Sequence, residues 1–341
     1  MNKLSAFEFE EINRHVDDGW IRRQICSYAP LFIYTYSTNT ELEEHWDKYT
    51  LMSRGLVLND KGDIVIRCVP KFFNAGQKFA ENVRLNDEST QITMKNDGYL
   101  IQIKKDSRYG LIVTSKGSFT SPMVTKAKEL INEEELEEDY TYICELCCNF
   151  PGDEAIIVKR WDSEPKLTVW AVIDPNGNEI DLLKAKIPKC LERTAVFSYP
   201  EATEYLKRLD VEGVVGKNGD KRVKFKTEHF MMMHRLISDV RKIRVWELLS
   251  KGLDLDSINI PDEFMPIMKE WRSELLYAKK SILQEAYYVA DKYAQNSDKE
   301  FALSDVDPFL KKLVFNIRKE NAKANEEIIW RKIRNDLKEE K

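Results

Sequence analysis

A lysine two residues before an aspartate-glycine pair is the feature of this sequence best suited to nucleophilic chemistry. Lys95, Asp97 and Gly98 stand in the segment 94–99, between two runs with strand character. A turn there can hold the amine beneath a nucleotide pocket, where an unprotonated lysine can attack phosphorus. Alone the pattern is weak, because a plain hairpin turn also brings Lys and Asp-Gly together.

The segments that follow supply, in order, the other residue types that nucleotide transfer needs. Glu145 and Glu212 each place one carboxylate in an otherwise apolar strand-like run. Lys224 and Lys226 lie on one face of a strand, since side chains repeat every second residue. Lys116 adds a cation among small residues. Taken singly each is an ordinary surface charge, but together and in this order they predict a nucleotide site.

The elements that must position these residues change character along the chain. Short alternating or apolar runs separated by turn signals cover residues 91–226 and predict mainly antiparallel sheets, because little room remains for crossover helices. From about Met231 apolar residues recur at helical spacing. We predict an α+β chain, with an antiparallel-sheet domain over 1–238 and an all-helical domain over 239–341. The strand-like runs begin at residues 91, 99, 110, 140, 155, 167, 212 and 222, and the helical breaks are expected near Lys251-Gly252, Ile260-Pro261 and 305–308.

Composition predicts a folded cytoplasmic protein. The 43% hydrophobic and 33% charged residues suffice for cores and a solvated surface, and no signal-peptide core or run of membrane-spanning length is present. A net charge of -5 argues against coating nucleic acid by bulk electrostatics, although from Met231 onward 21 Lys and Arg stand against 20 Asp and Glu. The six irregularly spaced cysteines fit reduced thiols better than a zinc site, since Cys144 and Cys147 lack a second pair.

The motifs resemble those of the covalent nucleotidyltransferases, the superfamily of ATP-dependent ligases and mRNA capping enzymes. Four segments are similar to its motifs I, III, IV and V, in that order: residues 95–98, 144–146, 212–215 and 224–226. Within it the chain resembles the bacteriophage T4 RNA ligase 1 family over roughly 30–235, also through residues 32–36, 53–57, 71–74, 115–118 and 227–234. Asn96 and Tyr99 stand where the phage type has Glu and Ser, so contacts of those side chains are not carried over.

The resemblance implies an ATP-dependent RNA ligase that joins 5′-phosphate and 3′-hydroxyl RNA ends through a lysyl-AMP intermediate and an adenylylated RNA end. Its cofactors are ATP and Mg²⁺, for which Mn²⁺ can substitute. Its partners are single-stranded RNA or broken tRNA, in RNA repair after an end-healing kinase or phosphatase, with no membrane. One alternative is a capping-type guanylyltransferase, which the helical tail disfavours because such enzymes continue into an OB-fold. The other is a non-catalytic RNA-binding module, which predicts basic and aromatic clustering instead.

Roles carried over residue by residue assign Lys95 as the nucleophile and Asp97, Arg54, Lys224 and Lys226 as its catalytic companions. A free lysine titrates near 10.4, so the two downstream lysines are expected to depress its pKa. The nucleotide is expected to contact Tyr34, Arg54, Lys71, Lys95, Gly98, Lys116, Glu145, Val214, Lys224 and Lys226. Oxygen-preferring magnesium is expected at Asp97, Glu145 and Glu212, partly through water.

Two weaker expectations complete the reading. Adenine is expected between Val214 and a residue of the strand 169–172, where Trp170 is more often a core residue than a ligand contact. The helical tail is a possible RNA-specificity module, although paired lysines on amphipathic helices usually only solvate a face. Its basic pairs are Lys279-Lys280, Lys311-Lys312 and Arg331-Lys332.

Overall fold

Two structural units follow one another along the chain in a computed structural model, one formed by residues 1–238 and the other by 239–341. The structure describes residues 3–148, 164–237, 241–255 and 264–339. The predicted strand beginning at residue 155 and the predicted break at Ile260-Pro261 lie outside the described residues. Within the described ranges, every helix is too short or too polar to cross a membrane.

Strands and short helices alternate in the first unit, and the second contains helices. The strands are β1 (Ile21–Ile25), β2 (Leu31–Tyr36), β3 (Arg54–Asn59), β4 (Ile64–Ile66), β5 (Phe73–Asn74), β6 (Gln91–Lys95), β7 (Tyr99–Asp106), β8 (Gly110–Ser115), β9 (Thr141–Cys147), β10 (Lys166–Ile173), β11 (Glu179–Ile180), β12 (Glu192–Arg193), β13 (Val196–Phe197), β14 (Gly213–Asn218) and β15 (Lys221–Lys226). The helices are α1 (Ala6–Asp17), α2 (Thr38–Leu42), α3 (Lys48–Met52), α4 (Pro122–Leu130), α5 (Tyr199–Tyr205), α6 (Glu228–Ile237), α7 (Lys242–Ser250), α8 (Met265–Lys292), α9 (Asp298–Ala302), α10 (Pro308–Arg318) and α11 (Ala322–Glu339), with a 3₁₀ turn at Glu133–Glu135.

Three sheets build the first unit. The first has the order β1-β2-β3-β4, the second β11-β10-β9-β7-β8 with β12 beside β10, and the third β13-β6-β14-β15-β5. Their described pairings are antiparallel except β10 with β12 and β15 with β5. The predicted mainly antiparallel α+β class is therefore confirmed.

The second and third sheets meet through a small apolar cluster that contains Ile143 of β9, Ala171 of β10, Val215 of β14 and the loop residue Phe72. Larger cores cover other parts of the same sheets. One packs β7, β9 and β10 against α4, and the other packs β6 and β14 against α5. Because burial of apolar side chains contributes roughly 25 cal/mol per Å², these cores hold the two sheets as fixed walls.

The second unit is helical where it is described, as predicted. Helix α7 ends at Ser250, beside Gly252 with φ 73°, near the expected break. Helix α10 begins at Pro308, and the Asp307 carboxylate accepts a hydrogen bond from Phe309 N at 2.8 Å as its N-cap. Its apolar cluster includes Phe301, which joins α9 to α8 and α10.

A β-bulge turns Arg54 out of the strand alternation. In β3, Leu56 enters the same core as Tyr34, and strict alternation would send Arg54 there too. The β2–β3 register shifts immediately after Tyr34, where Gly55 has φ 87°. A Cβ on Gly55 would lie 2.3 Å from Gln102 Nε2, which donates to the Gly55 carbonyl oxygen at 2.8 Å. Glycine is therefore required at the bulge.

We expect Gly55→Ala to lower the free energy of unfolding by about 3 kcal/mol, against about 1 kcal/mol for Gly76→Ala. Both glycines have positive φ, but an added Cβ at Gly76 meets no atom within 4 Å. The difference between the variants therefore isolates the steric term at the bulge. Urea denaturation of both variants and the wild type measures it, and equal losses would show that the bulge tolerates a Cβ.

Candidate active site

The predicted nucleophile Lys95 ends strand β6 and contacts a buried carboxylate. Its Nζ lies 2.7 Å from Glu212 Oε1, and Lys226 Nζ lies 3.3 Å from the same oxygen. Strand pairing explains the arrangement, because Gly213 lies opposite Lys95 on one side and Lys226 on the other. A Cβ at Gly213 would lie 2.0 Å from the Phe225 carbonyl oxygen, so only glycine fits between the two lysines. One carboxylate therefore pairs with two ammonium groups.

Glu145 of β9 brings a second carboxylate to the same place. Burial raises the pKa of its carboxyl to about 7, an effect that nearby Lys95 and Arg54 oppose and that Glu212 and Asp97 reinforce. A shift of this size in a cleft is typical of functional sites, although structural ion pairs also produce such shifts.

Gly98 allows the loop after Lys95 to lie against β9. A Cβ on this residue would lie 2.5 Å from the Leu146 carbonyl oxygen and 3.0 Å from Glu145 Cγ. The Asp-Gly step is thus explained by close backbone approach, a requirement that a plain hairpin turn does not impose.

The expected lowering of the Lys95 pKa is wrong for the protein's own residues. Burial lowers the pKa of the Lys95 ammonium, but the carboxylates of Glu212, Glu145 and Asp97 outweigh burial and raise it well above its ordinary value. Lys226 does not reverse this, because it pairs with the same Glu212 oxygen. The surroundings of the amine are net acidic.

A cavity of about 110 Å³ opens beside these groups, between the second and third sheets. It brings together four residues predicted for the site, with apolar side chains around them. The predicted residues are Arg54, Lys95, Glu145 and Lys224, and the apolar ones are Phe72, Leu100, Trp170 and Val215. The lining therefore combines apolar side chains, which can contact a base, with cations, which can contact phosphates.

A second bulge directs Trp170 into this cavity. Val169 pairs with Cys144 and Ala171 with the adjacent Ile143, which leaves Trp170 as the extra residue of β10. The Arg54 guanidinium lies 5.7 Å from the centre of the Trp170 ring. Trp170 thus lines the cavity and also packs against the apolar cluster between the two sheets. The ring centre of Phe72, a residue that sequence reasoning did not assign to the site, lies 5.4 Å from the same guanidinium.

Val214 faces away from the cavity. It lies opposite Met94 and Phe225 and packs in the cluster that contains Ala202 of α5. Val215 lines the cavity instead, because successive side chains of a strand point to opposite faces. Val214, expected at the adenine, is therefore not among the residues that line the cavity.

Lys71 and Lys116 gather on a tyrosine outside the cavity lining. Their Nζ atoms lie 3.3 and 3.1 Å from Tyr36 Oη, and Lys71 also pairs with Glu41 at 3.2 Å. Tyr34 is buried in the core of the first sheet, and burial raises the pKa of its hydroxyl. The hydroxyl that these lysines contact thus belongs to Tyr36, which ends the strand beyond the register shift, and not to Tyr34.

The carboxylates offer oxygen donors that suit magnesium. Glu212 Oε2 is buried and has no hydrogen-bond partner among the described residues. Ligand oxygens of Glu212, Asp97 and Glu145 do not all lie within 4.8 Å of one another. Among the described residues, only His15, His45 and Asp47 bring three possible ligand atoms that close together. The set therefore fits a cation that keeps several waters rather than three direct protein ligands.

The facing sheets with a lysine at the cavity define a ligase nucleotidyltransferase fold. A putative ATP-dependent DNA ligase from Aquifex aeolicus superposes with a TM-score of 0.50 at 17% identity over 84% of this chain and 76% of that one. An archaeal ATP-dependent RNA ligase in form 1 gives 0.48 at 14% over 77% and 70%, and in form 2 gives 0.44 at 14% over 81% and 79%. No curated protein matches the sequence.

Sequence comparison specifies the family within that fold. Residues 52–217, which carry Arg54, Lys95 and Glu212, match the family described as RNA ligase. The match covers most of the described part of the first unit and supports an RNA ligase enzyme.

We expect Glu145→Gln to stabilise the protein increasingly as pH rises. The folded-state pKa of Glu145, about 7, exceeds its ordinary 4.5, so the stability that the neutral carboxyl contributes is complete below pH 4.5 and lost as pH rises through 7. Relative to wild type, the variant should gain up to roughly 3 kcal/mol in free energy of unfolding across that window.

Urea denaturation at several pH values measures this difference. Exposed Glu10 provides the matched control, and Glu10→Gln should show no such slope. A difference between Glu145→Gln and wild type that stays constant with pH contradicts the assignment.

Proposed function

We propose that this chain is an ATP-dependent RNA ligase that carries AMP on Lys95 and joins 5′-phosphate to 3′-hydroxyl RNA ends in cytoplasmic RNA repair. The observation that carries the proposal is the position of Lys95 Nζ, at the cavity and 2.7 Å from Glu212 Oε1. An amine at a cavity with a carboxylate in hydrogen-bond reach places a nucleophile beside an acceptor for its proton.

In the first step Lys95 Nζ attacks the α-phosphorus of ATP. The nitrogen–phosphorus bond forms as the bond from that phosphorus to pyrophosphate breaks. The ammonium first gives a proton to Glu212 Oε1, the acceptor 2.7 Å away, and loses a second to solvent as the phosphoramidate forms. Arg54 and Lys224, which line the cavity, stabilise the phosphate charge, and Lys226 holds Glu212 in place.

Glu212, Asp97 and Glu145 would hold magnesium, or manganese in its place, and the buried Glu212 Oε2 offers an oxygen without another partner among the described residues. When bound, the cation supplies positive charge that offsets the three carboxylates and so lowers the pKa of Lys95. The same three carboxylates thus raise the pKa of Lys95 and attract the metal ion.

The adenine lies between Val215 and Trp170, which both line the cavity. Lys71 and Lys116, held on Tyr36, meet the outer phosphates. In the second step the AMP moves to an RNA 5′-phosphate, and in the third a 3′-hydroxyl displaces it. An end-healing kinase or phosphatase supplies such ends on single-stranded RNA or broken tRNA.

We expect Lys95→Ala and Lys95→Arg each to abolish the covalent adduct formed with labelled ATP and magnesium. A guanidinium is essentially always protonated and cannot attack phosphorus. Lys221→Arg is the matched control, because Lys221 is exposed at the far end of β15, and it should retain the adduct. Denaturing electrophoresis measures the adduct, and circular dichroism checks the fold.

The same gel separates the rival functions. An adduct retained by folded Lys95→Ala would falsify the nucleophile. An adduct formed with GTP in preference to ATP favours a capping-type enzyme. No adduct from the wild type favours a non-catalytic RNA-binding module.

We further propose that the helical unit, residues 239–341, helps to choose the RNA. One member of each predicted basic pair has a partner within the helical unit. Lys279 pairs with Glu326, Lys311 donates to the Ala302 carbonyl oxygen at 2.9 Å, and Lys332 pairs with Asp336 at 2.6 Å. The exposed members are Lys280, Lys312 and Arg331. These three are the cations placed to meet RNA phosphates.

We expect the triple variant Lys280→Ala/Lys312→Ala/Arg331→Ala to ligate a nicked stem-loop about tenfold more slowly, because phosphate contacts are lost. Its ligation of an unstructured oligonucleotide of equal length should change less. The control removes three exposed lysines of the first unit, Lys61, Lys189 and Lys221, by alanine. Equal loss on both RNAs, or none, makes the helical unit a structural brace.

A further inference from the structure

Two histidines and an aspartate form a compact group that the ligation chemistry does not use. His15, His45 and Asp47 each offer one ligand atom, and these three atoms lie within 4.8 Å of one another. No other group of three in the described ranges is this compact. His15 lies on α1, and the other two lie just before α3. All three precede the segment 52–217 matched by the RNA ligase family.

The second polar atom of two of these side chains is already engaged. His15 Nδ1 lies 2.8 Å from the Glu11 carbonyl oxygen, which can only accept, so in the neutral ring Nε2 presents its lone pair. Asp47 Oδ1 caps α3 by accepting from Tyr49 N at 2.9 Å and Thr50 N at 2.8 Å. Asp47 Oδ2 is left toward both histidines. A histidine that donates its other N–H to a backbone carbonyl is the usual arrangement around a bound metal.

The spacing of the donors suits a small cation. Asp47 Oδ2 lies 2.7 Å from His15 Nε2 and 3.8 Å from His45 Nε2. Donors around a tetrahedral zinc with bonds of about 2.0 Å lie about 3.3 Å apart, so both distances from Asp47 come within about half an ångström of that spacing.

Packing and exposure allow both order and access. The His45 ring stacks on Trp20 with ring centres 4.3 Å apart and planes 11° apart, which limits its rotation. The His15 side chain is 6% exposed, whereas those of His45 and Asp47 are 41% and 38% exposed. One ligand is therefore fixed in the core, and two stand open on the solvent side.

We propose that His15, His45 and Asp47 bind one Zn²⁺, with water completing the coordination. Imidazole nitrogen and carboxylate oxygen are donors that zinc accepts. The ion ties α1 to the segment before α3 and thereby holds Trp46, the residue between two of its ligands. The Trp46 ring lies 5.1 Å from that of Tyr36, and Lys71 Nζ lies 5.3 Å from its centre. The zinc thus braces one wall of the Lys71–Tyr36 contact.

Full-length protein freed of metal with a chelator is titrated with Zn²⁺ in a calorimeter. We expect one ion per chain, with the affinity lowered at least about tenfold by His45→Ala and by Asp47→Asn. The asparagine keeps a side-chain oxygen for the α3 cap, and His45 is exposed, so both variants should fold. His229→Gln and Cys147→Ala are matched controls outside the group, and both should bind zinc like the wild type.

Two further measurements distinguish this site from thiol binding or a loose surface association. Zinc should raise the Tm of the wild type but not of His45→Ala, since only a ligand of the folded state stabilises it. Cobalt in its place should give visible bands without thiolate charge transfer. The proposal is overturned if the wild type binds no zinc, if His45→Ala binds it equally well, or if Cys147→Ala abolishes binding.

Discussion

The active centre depends on one buried carboxylate shared by two ammonium groups. Glu212 Oε1 contacts both Lys95 and Lys226, which flank it on neighbouring strands. Removing charges from water costs several kcal/mol per ion, and the pairing repays this only while both partners stay in place. Glu145 and Asp97 add further negative charge, so Lys95 is held as its ammonium. In the proposed mechanism, activation of the lysine therefore depends on a cation that offsets the charge of these carboxylates.

Regular strands alone cannot build the cavity around this pair. Strict alternation along β3 would bury Arg54 with Leu56. Strict alternation along β10 would put both neighbours of Trp170 on the face opposite to it. Each strand solves the problem with one bulge, and the two displaced side chains meet, with the guanidinium 5.7 Å from the tryptophan ring centre. The strain of the first bulge is confined to Gly55, whose missing Cβ leaves room for Gln102.

The sequence predicts the fold class well and the site in part, for physical reasons. Hydrophobic periodicity is local, so the antiparallel sheets and the helical C-terminal region could be read directly. Ordered motifs brought Lys95, Glu145 and Glu212 to attention. Which face of β14 meets the cavity depends on tertiary packing rather than on local periodicity, however, so Val214 was taken for its neighbour Val215. The direction of the Lys95 pKa shift could not be predicted from the sequence either, because it depends on how many carboxylates the fold brings to the lysine.

The cations near the cavity share a second property, which links the two halves of the site. Lys95 and Lys226 converge on one carboxylate, and Lys71 and Lys116 converge on the hydroxyl of Tyr36. Like charges brought together repel, so each shared acceptor keeps its pair of cations close before any phosphate arrives. Preorganised charge of this kind stabilises a developing anion without reorganisation during the reaction. At Tyr36 the Glu41 carboxylate, 3.2 Å from Lys71 Nζ, also offsets part of the repulsion between the two cations.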